Sequence, residues 1–276
     1  MAATTKRRTA KPQAKPKPKP KPKPQRKPKP KPKAKPQPKP KATGGLELIG
    51  EVTAPSGKLA IFDVGLVGFL PREALEPALI VVDVPRDRAL PVLGQRVGSG
   101  RYADRWDHVA VVLAEGVIAT STKLGEAGVD FARLACMDLG ALDHWQHEDS
   151  LDGKADFLFW GRDAGTLAKL MRAPAQAEGH GWLDLPVAEA EAKSDDAARH
   201  KAANHYLLAT DLRPHSHHFH ALAAARASAV GAGAIEVGGA RVLLFFTSWG
   251  DGVFPVFLER DASGTPVRIR IQLHVG

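Results

Sequence analysis

Asp130, Asp138 and Asp251 are the side chains of this 276-residue chain whose type best suits acid–base work. Together with Asp63 they could converge as a general acid and base, or around a hard cation such as magnesium, which prefers carboxylate oxygens. No spacing among them matches a calcium loop. Asp251 lies in Trp249-Gly250-Asp251-Gly252, where two glycines permit positive φ and could present Asp251 and the indole of Trp249 as a ligand-binding pair at a cleft. The same four residues also suit a tight hairpin turn over a packed tryptophan. Each aspartate alone is better read as a turn or helix cap.

Arg213-Pro214-His215-Ser216-His217-His218-Phe219-His220 is the densest run of titratable residues. In an extended segment His215 and His217 would face one side and His218 and His220 the other, so either pair could begin a zinc site. Cys136 or Asp211 would have to supply further ligands. The alternative is a polar loop or helix start with solvated imidazoles. The sequence calls for no cofactor, and a divalent metal at the His215/His217 pair or the aspartates is the one possibility it leaves open. Nucleophilic catalysis finds no Gly-x-Ser-x-Gly elbow, and Cys136, between Ala135 and Met137, reads as a small buried apolar residue. Residues 94–100 match neither phosphate-binding glycine fingerprint.

Charge divides the chain. The first 45 residues hold 17 of its 39 Lys and Arg and no acid, which leaves 22 basic against 30 acidic side chains in residues 46–276. Lysine alternates with proline through Lys15, Lys17, Lys19, Lys21, Lys23, Lys27, Lys29, Lys31 and Lys33. Such a segment has too little apolar surface to offset its ordering entropy and is expected to be a disordered, polyproline-II-like tail outside the fold. A diffuse polycation suits nucleic acid or another polyanion, bound through charge and without sequence preference. No aromatic residue interleaves the lysines, so the tail itself cannot stack on bases. No apolar stretch follows Met1 to Arg8, no run is long enough for a transmembrane helix, and one cysteine fits a reducing compartment, so a cytoplasmic protein is expected.

The elements that must position these residues read as one α+β domain over 46–276, with a mostly antiparallel sheet and helices packed on one side. β-like runs occupy 46–52, 58–63 and 78–84, and a hairpin signal joins His108–Leu113 to Val117–Thr120. Helices are expected at Leu139–Gln146, at Thr166–Arg172 with Asp163 as cap, over Pro186–Leu208, and from about Phe219 to Val230. Arg241–Thr247, Val253–Glu259 and Pro266–His274 read as a three-stranded meander. Alternation of Arg268, Arg270 and Gln272 with Val267, Ile269 and Ile271 marks the last strand as half-buried.

Ser56-Gly57-Lys58-Leu59 with Asp63, Gly128-Val129-Asp130 with Cys136-Met137-Asp138, and Ser248-Trp249-Gly250-Asp251-Gly252-Val253-Phe254-Pro255-Val256 with Asp261 follow one another in order. This pattern resembles a bacterial domain-of-unknown-function family with a Gly/Ser-Trp-Gly-Asp-Gly carboxyl-terminal signature. Phe131-Ala132 departs from the small pair expected after Asp130. The resemblance implies no reaction. The first functional reading is a non-enzymatic binding protein, whose tail associates with polyanions and whose acidic domain binds a protein or small ligand. The alternatives are a carboxylate- or metal-centred hydrolase using Asp130, Asp138 and Asp251, and an immunity-type or regulatory protein that covers a basic partner.

Overall fold

The computed structural model describes residues 45–274, so the Lys/Pro segment and its polyanion-binding lysines lie outside the described residues. In chain order the elements are β1 (Glu47–Val52), β2 (Lys58–Phe62), the short helix α1 (Arg72–Leu75), β3 (Ile80–Asp83), β4 (Leu90–Arg96), β5 (Trp106–Val112), β6 (Thr120–Val129) and β7 (Arg133–Asp138). They continue with β8 (Lys154–Gly161), α2 (Ala164–Met171), β9 (Ala175–Gln176), β10 (Gly179–Pro186), α3 (Val187–Asn204), β11 (Leu208–Pro214), α4 (His217–Ala227), β12 (Ala232–Val237), β13 (Ala240–Phe246), β14 (Gly252–Arg260) and β15 (Pro266–Gln272).

The strands form three sheets in the orders β1-β4-β5-β15-β14-β6, β12-β13-β7-β2-β3 and β11-β8-β10-β9. Every ladder in them is antiparallel. The first two sheets share one core, in which Val109, Val111, Val256, Ile269 and Ile271 meet Leu59, Ile61, Leu134, Leu243 and Phe245. On its other face the five-stranded sheet buries Ala60, Phe62, Ala135, Met137 and Leu244 beneath Leu75, Leu142, Trp145, Ala221 and Ala225. That sheet is therefore a middle layer, which is why β2, β7 and β13 are continuous apolar runs while β15 alternates. In the third sheet, Phe157 and Phe159 pack with Leu167 of α2 and with Ala190 and Ala197 of α3. The class is α+β, mostly antiparallel, with helices α1 and α4 on one face of the middle sheet and α2 and α3 on one face of the small sheet.

Two expected connections differ. His108–Leu113 and Val117–Thr120 do not form a hairpin, because β5 pairs with β4 and β15, and β6 pairs with β14. Residues 113–119 instead run along the sheet end: the N–H groups of Leu113 and Ala114 donate to Val267 O and that of Ala119 to Arg260 O. The carboxyl-terminal meander is likewise split. β14 and β15 pair, but β13 lies in the middle sheet, where Val242 to Phe245 are buried on both faces. Residues 247–251 thus cross between sheets and are not a hairpin turn.

The expected helices shift at their ends. α3 stops at Asn204, where His205 adopts φ +54°, and Leu208 opens β11. Asp163 precedes α2 without capping it, since its carboxylate accepts the Leu207 N–H at 2.8 Å. α4 begins at His217, with Ser216 Oγ accepting the Phe219 N–H at 3.3 Å.

Leu243 is fully buried at the shared core of the two larger sheets. Leu243→Ala is expected to lower the unfolding free energy by about 2–5 kcal/mol in chemical denaturation; a loss below about 1 kcal/mol contradicts the shared core.

Candidate functional site

One buried carboxylate organises the neighbourhood of the candidate aspartates. Asp63, fully buried at the end of β2, accepts the N–H groups of Gly65, Asp130 and Phe131, each at 2.8 Å. Burial pushes its pKa up, against the pull of those three donors and of the Arg133 charge. Asp251 Oδ1 takes the next N–H, that of Ala132, at 2.9 Å. Ala132 has φ +55°, and its carbonyl accepts the Thr247 N–H at 3.0 Å. Two carboxylates therefore bind three consecutive N–H groups of the β6–β7 turn and hold a non-glycine residue in the left-handed region, which costs about 1–2 kcal/mol.

The structure brings Asp130 and Asp251 to this turn but not Asp138. Asp138 ends β7 and accepts the N–H groups of Ser56 at 2.8 Å, Gly140 at 2.7 Å and Ala141 at 3.2 Å, capping a 3-10 turn over Leu139–His144. The length of β7 separates it from the other two, roughly 20 Å at 3.3 Å per residue. The three expected catalytic carboxylates are thus at two opposite strand ends, and those of Asp138 and Asp251 are engaged with backbone.

His215 and His217 also part, because the chain turns into α4 at Ser216 and the extended geometry assumed for the segment does not apply. His215 is buried; Nδ1 donates to Asp152 Oδ2 at 3.0 Å and Nε2 to Asp156 Oδ1 at 3.2 Å, with the ring stacked on Phe219 at 4.2 Å. His217 Nδ1 accepts the Gln146 N–H at 2.9 Å, and its ring stacks on Trp145. Both nitrogens of His215 are therefore occupied by carboxylates. Cys136 lies in the core with its thiol pushed up to about 12 by burial. Among the described residues no group of three His, Cys, Asp or Glu could hold a metal ion.

Trp249, paired with Asp251 in the ligand-binding expectation, packs at the sandwich end. Its Nε1 donates to Trp106 O at 2.7 Å and its ring stacks on His274 at 4.9 Å.

The arrangement with most chemical capacity is a cleft of about 450 Å³ between the loop after β2, the β6–β7 turn, residues 147–148 and the start of α4. Phe69, Phe131, Phe219 and Leu222 give it apolar walls, and the basic Arg133, His147, Arg213, His218 and Arg226 line it together with the acids Glu148 and Asp211. Gly65 and Gly68 permit the loop's approach: a Cβ on Gly65 would lie 2.6 Å from the Phe131 ring, and one on Gly68, at φ +90°, 2.7 Å from His147. Phe69 stacks on Phe131 at 5.4 Å, and His147 on His218 at 4.3 Å.

Both imidazoles are held neutral. Burial, then the Arg133 charge, pushes His147 down to about 4. Burial, followed by His147, Arg133 and Arg226, pushes His218 down to about 3. His147 Nδ1 accepts the Trp145 Nε1–H at 3.3 Å, which leaves its own hydrogen on Nε2. Arg213 and Arg226 reach Glu178 at 2.9 and 4.0 Å. Among the described residues Arg133 has no such partner, and its Nε and His218 Nε2 are buried without a hydrogen bond. The His-rich run pointed to His218. Arg133, a lone basic residue ahead of an apolar run, and His147 carried no comparable signal in the sequence.

Comparison of the chain with protein-family models, with curated proteins and with solved structures finds no match.

The His215 clamp has a definite pH dependence. Burial lowers the His215 pKa, but the hydrogen bonds and charges of Asp152 and Asp156 outweigh it and the net shift is upward. Asp152 is pulled down to about 2, chiefly by its bond to His215. The histidine contribution is complete below the unfolded value of roughly 6.5 and is lost as pH rises through the folded one; the Asp152 contribution is present above roughly 3.9 and is lost as pH falls toward 2. The Tm gap between wild type and His215→Gln is therefore expected to be widest between about pH 4 and 6.5 and to shrink on both sides. A gap that does not vary with pH contradicts a charged clamp.

Proposed function

We propose that the protein is a binding protein whose folded part takes a small organic anion in the Arg133/His218 cleft, while its Lys/Pro tail associates with polyanions, nucleic acid foremost. The observation that carries this reading is that Arg133 and His218 line one cleft, and that Arg133 Nε and His218 Nε2 are buried with no hydrogen-bond partner among the described residues. Leaving a buried charged donor unmade costs more than its bond would contribute, and an anionic oxygen between these groups removes that cost. The volume of about 450 Å³ suits a small molecule, and the phenylalanine walls suit an apolar body behind its carboxylate or phosphate.

The hydrolase alternative has less support, since Asp138 stands apart from Asp130 and Asp251, and Asp63, Asp138 and Asp251 spend oxygens on backbone donors. The tail's part of the reading rests on its 17 basic and no acidic residues.

A bound anion would favour protonation of His147 and His218, so affinity is expected to rise as pH falls and binding to take up protons. Isothermal titration of the full chain with benzoate and with phenyl phosphate, in buffers of different ionisation heat from pH 5 to 8, tests this. Arg133→Gln is expected to weaken binding about 10- to 100-fold, the loss of one charge-assisted hydrogen bond. Absence of binding for both anions, or unchanged affinity in Arg133→Gln, overturns the assignment.

A further inference from the structure

A second basic surface lies at the sandwich end, built from three separate connections. Tyr102 follows β4, Trp249 lies between β13 and β14, and His274 follows β15. The Arg101 guanidinium lies over the Tyr102 ring at 4.4 Å, and that of Arg105 lies 4.8 Å from both the Tyr102 and the Trp249 rings. Tyr102 meets Trp249 edge-on at 5.0 Å. The platform is held rigidly: Trp249 Nε1 is bonded to Trp106 O, and Ser248 Oγ accepts the Trp106 N–H at 2.9 Å.

Eight arginines among the described residues face a carboxylate, as Arg96 does with Glu47 and Arg270 with Glu259. Arg101 and Arg105 have no ion pair among the described residues, and Arg101 is exposed. The nearby acid Asp107 is engaged by His108 at 2.8 Å and His274 at 3.6 Å, and Asp104 on the same loop is exposed. Two unpaired guanidiniums laid over aromatic rings are thus presented on an otherwise acidic body.

We propose that Arg101 and Arg105, backed by Tyr102 and Trp249, form a stacking surface for the unpaired bases of single-stranded nucleic acid. This rests on the polyanion half of the proposed function and adds what the tail lacks. Lysine alternating with proline attracts phosphate but offers no π-face, whereas planar guanidiniums laid on aromatic rings accept a base of any identity on their outer face. Duplex DNA already has its bases stacked, so this surface favours single strands, and the acidic body around it disfavours contact away from the patch.

The test is fluorescence anisotropy with the full chain, using labelled oligo(dT), a labelled duplex of equal length and labelled inorganic polyphosphate across a salt series. The variants keep charge and remove planarity: Arg101→Lys with Arg105→Lys, and separately Tyr102→Leu. Each is expected to weaken oligo(dT) binding by about 5- to 100-fold, within the range for loss of one or two stacked bases, and to leave polyphosphate binding within about twofold. Arg101→Lys alone, at an exposed position, should give part of the same selective loss. Wild-type affinity for oligo(dT) in the lysine variants overturns the stacking surface while leaving the tail reading intact. Equal losses for the duplex or for polyphosphate overturn it as well, since the surface then reads phosphate. If the full chain binds none of the three at low salt, the polyanion reading fails and this proposal fails with it.

Discussion

A carboxylate removed from water must find donors, and Asp63 finds three of them on the backbone of two different segments. Its bond to Gly65 sets the path of the loop that leaves β2. Its bonds to Asp130 and Phe131 fix the turn that enters β7. Asp251, arriving from the other sheet, completes the clamp at Ala132. Phe131 and Arg133 flank that residue, so the direction of both side chains follows from where these N–H groups are held. The cleft is in this sense a consequence of one buried ion and its partners.

A second ionic link ties the small sheet to the rest. His215, at the entry to α4, joins the Asp152 loop and Asp156 of β8, while α4 itself covers the middle sheet. Asp156 also accepts the Asp184 N–H at 2.9 Å, which holds β10 at its irregular register. The wall formed by Phe219 and His218 is therefore positioned from two directions, by the apolar packing of α4 and by a histidine held between carboxylates. Charges used in this way shape the cleft by holding backbone, as the carboxylates of Asp63, Asp138 and Asp251 do at turns.

Legibility followed burial. β15 could be read because one face is polar and one apolar, and α3 because Pro186 opens an alanine-rich run. β6 could not: Thr120 to Lys123 are exposed on an edge strand and carry no apolar alternation. The assignment of strands to sheets was also hidden, since the runs ending at Phe246 and beginning at Gly252 look like a hairpin until one notices that only β13 is apolar on both faces. Among the candidate aspartates, Asp63, Asp138 and Asp251 capture backbone N–H groups, which depends on turn geometry that no spacing encodes. For the histidines, residue type was informative and direction was not, because the helix that Ser216 caps rotates His217 and His218 away from His215. Arg133 had no signal beyond its own charge.

The claim on which the account turns is that the Asp63 carboxylate holds the β6–β7 turn and through it the cleft. Amide hydrogen exchange of Asp130, Phe131 and Ala132 in wild type and in Asp63→Asn measures this directly, since an amide side chain loses the charge and one acceptor oxygen while keeping nearly the same shape. The account predicts that all three amides are protected in wild type and exchange at least about tenfold faster in Asp63→Asn, equivalent to about 1.4 kcal/mol, with the strands of the middle sheet still protected. Equal protection of the three amides in the two proteins would contradict it.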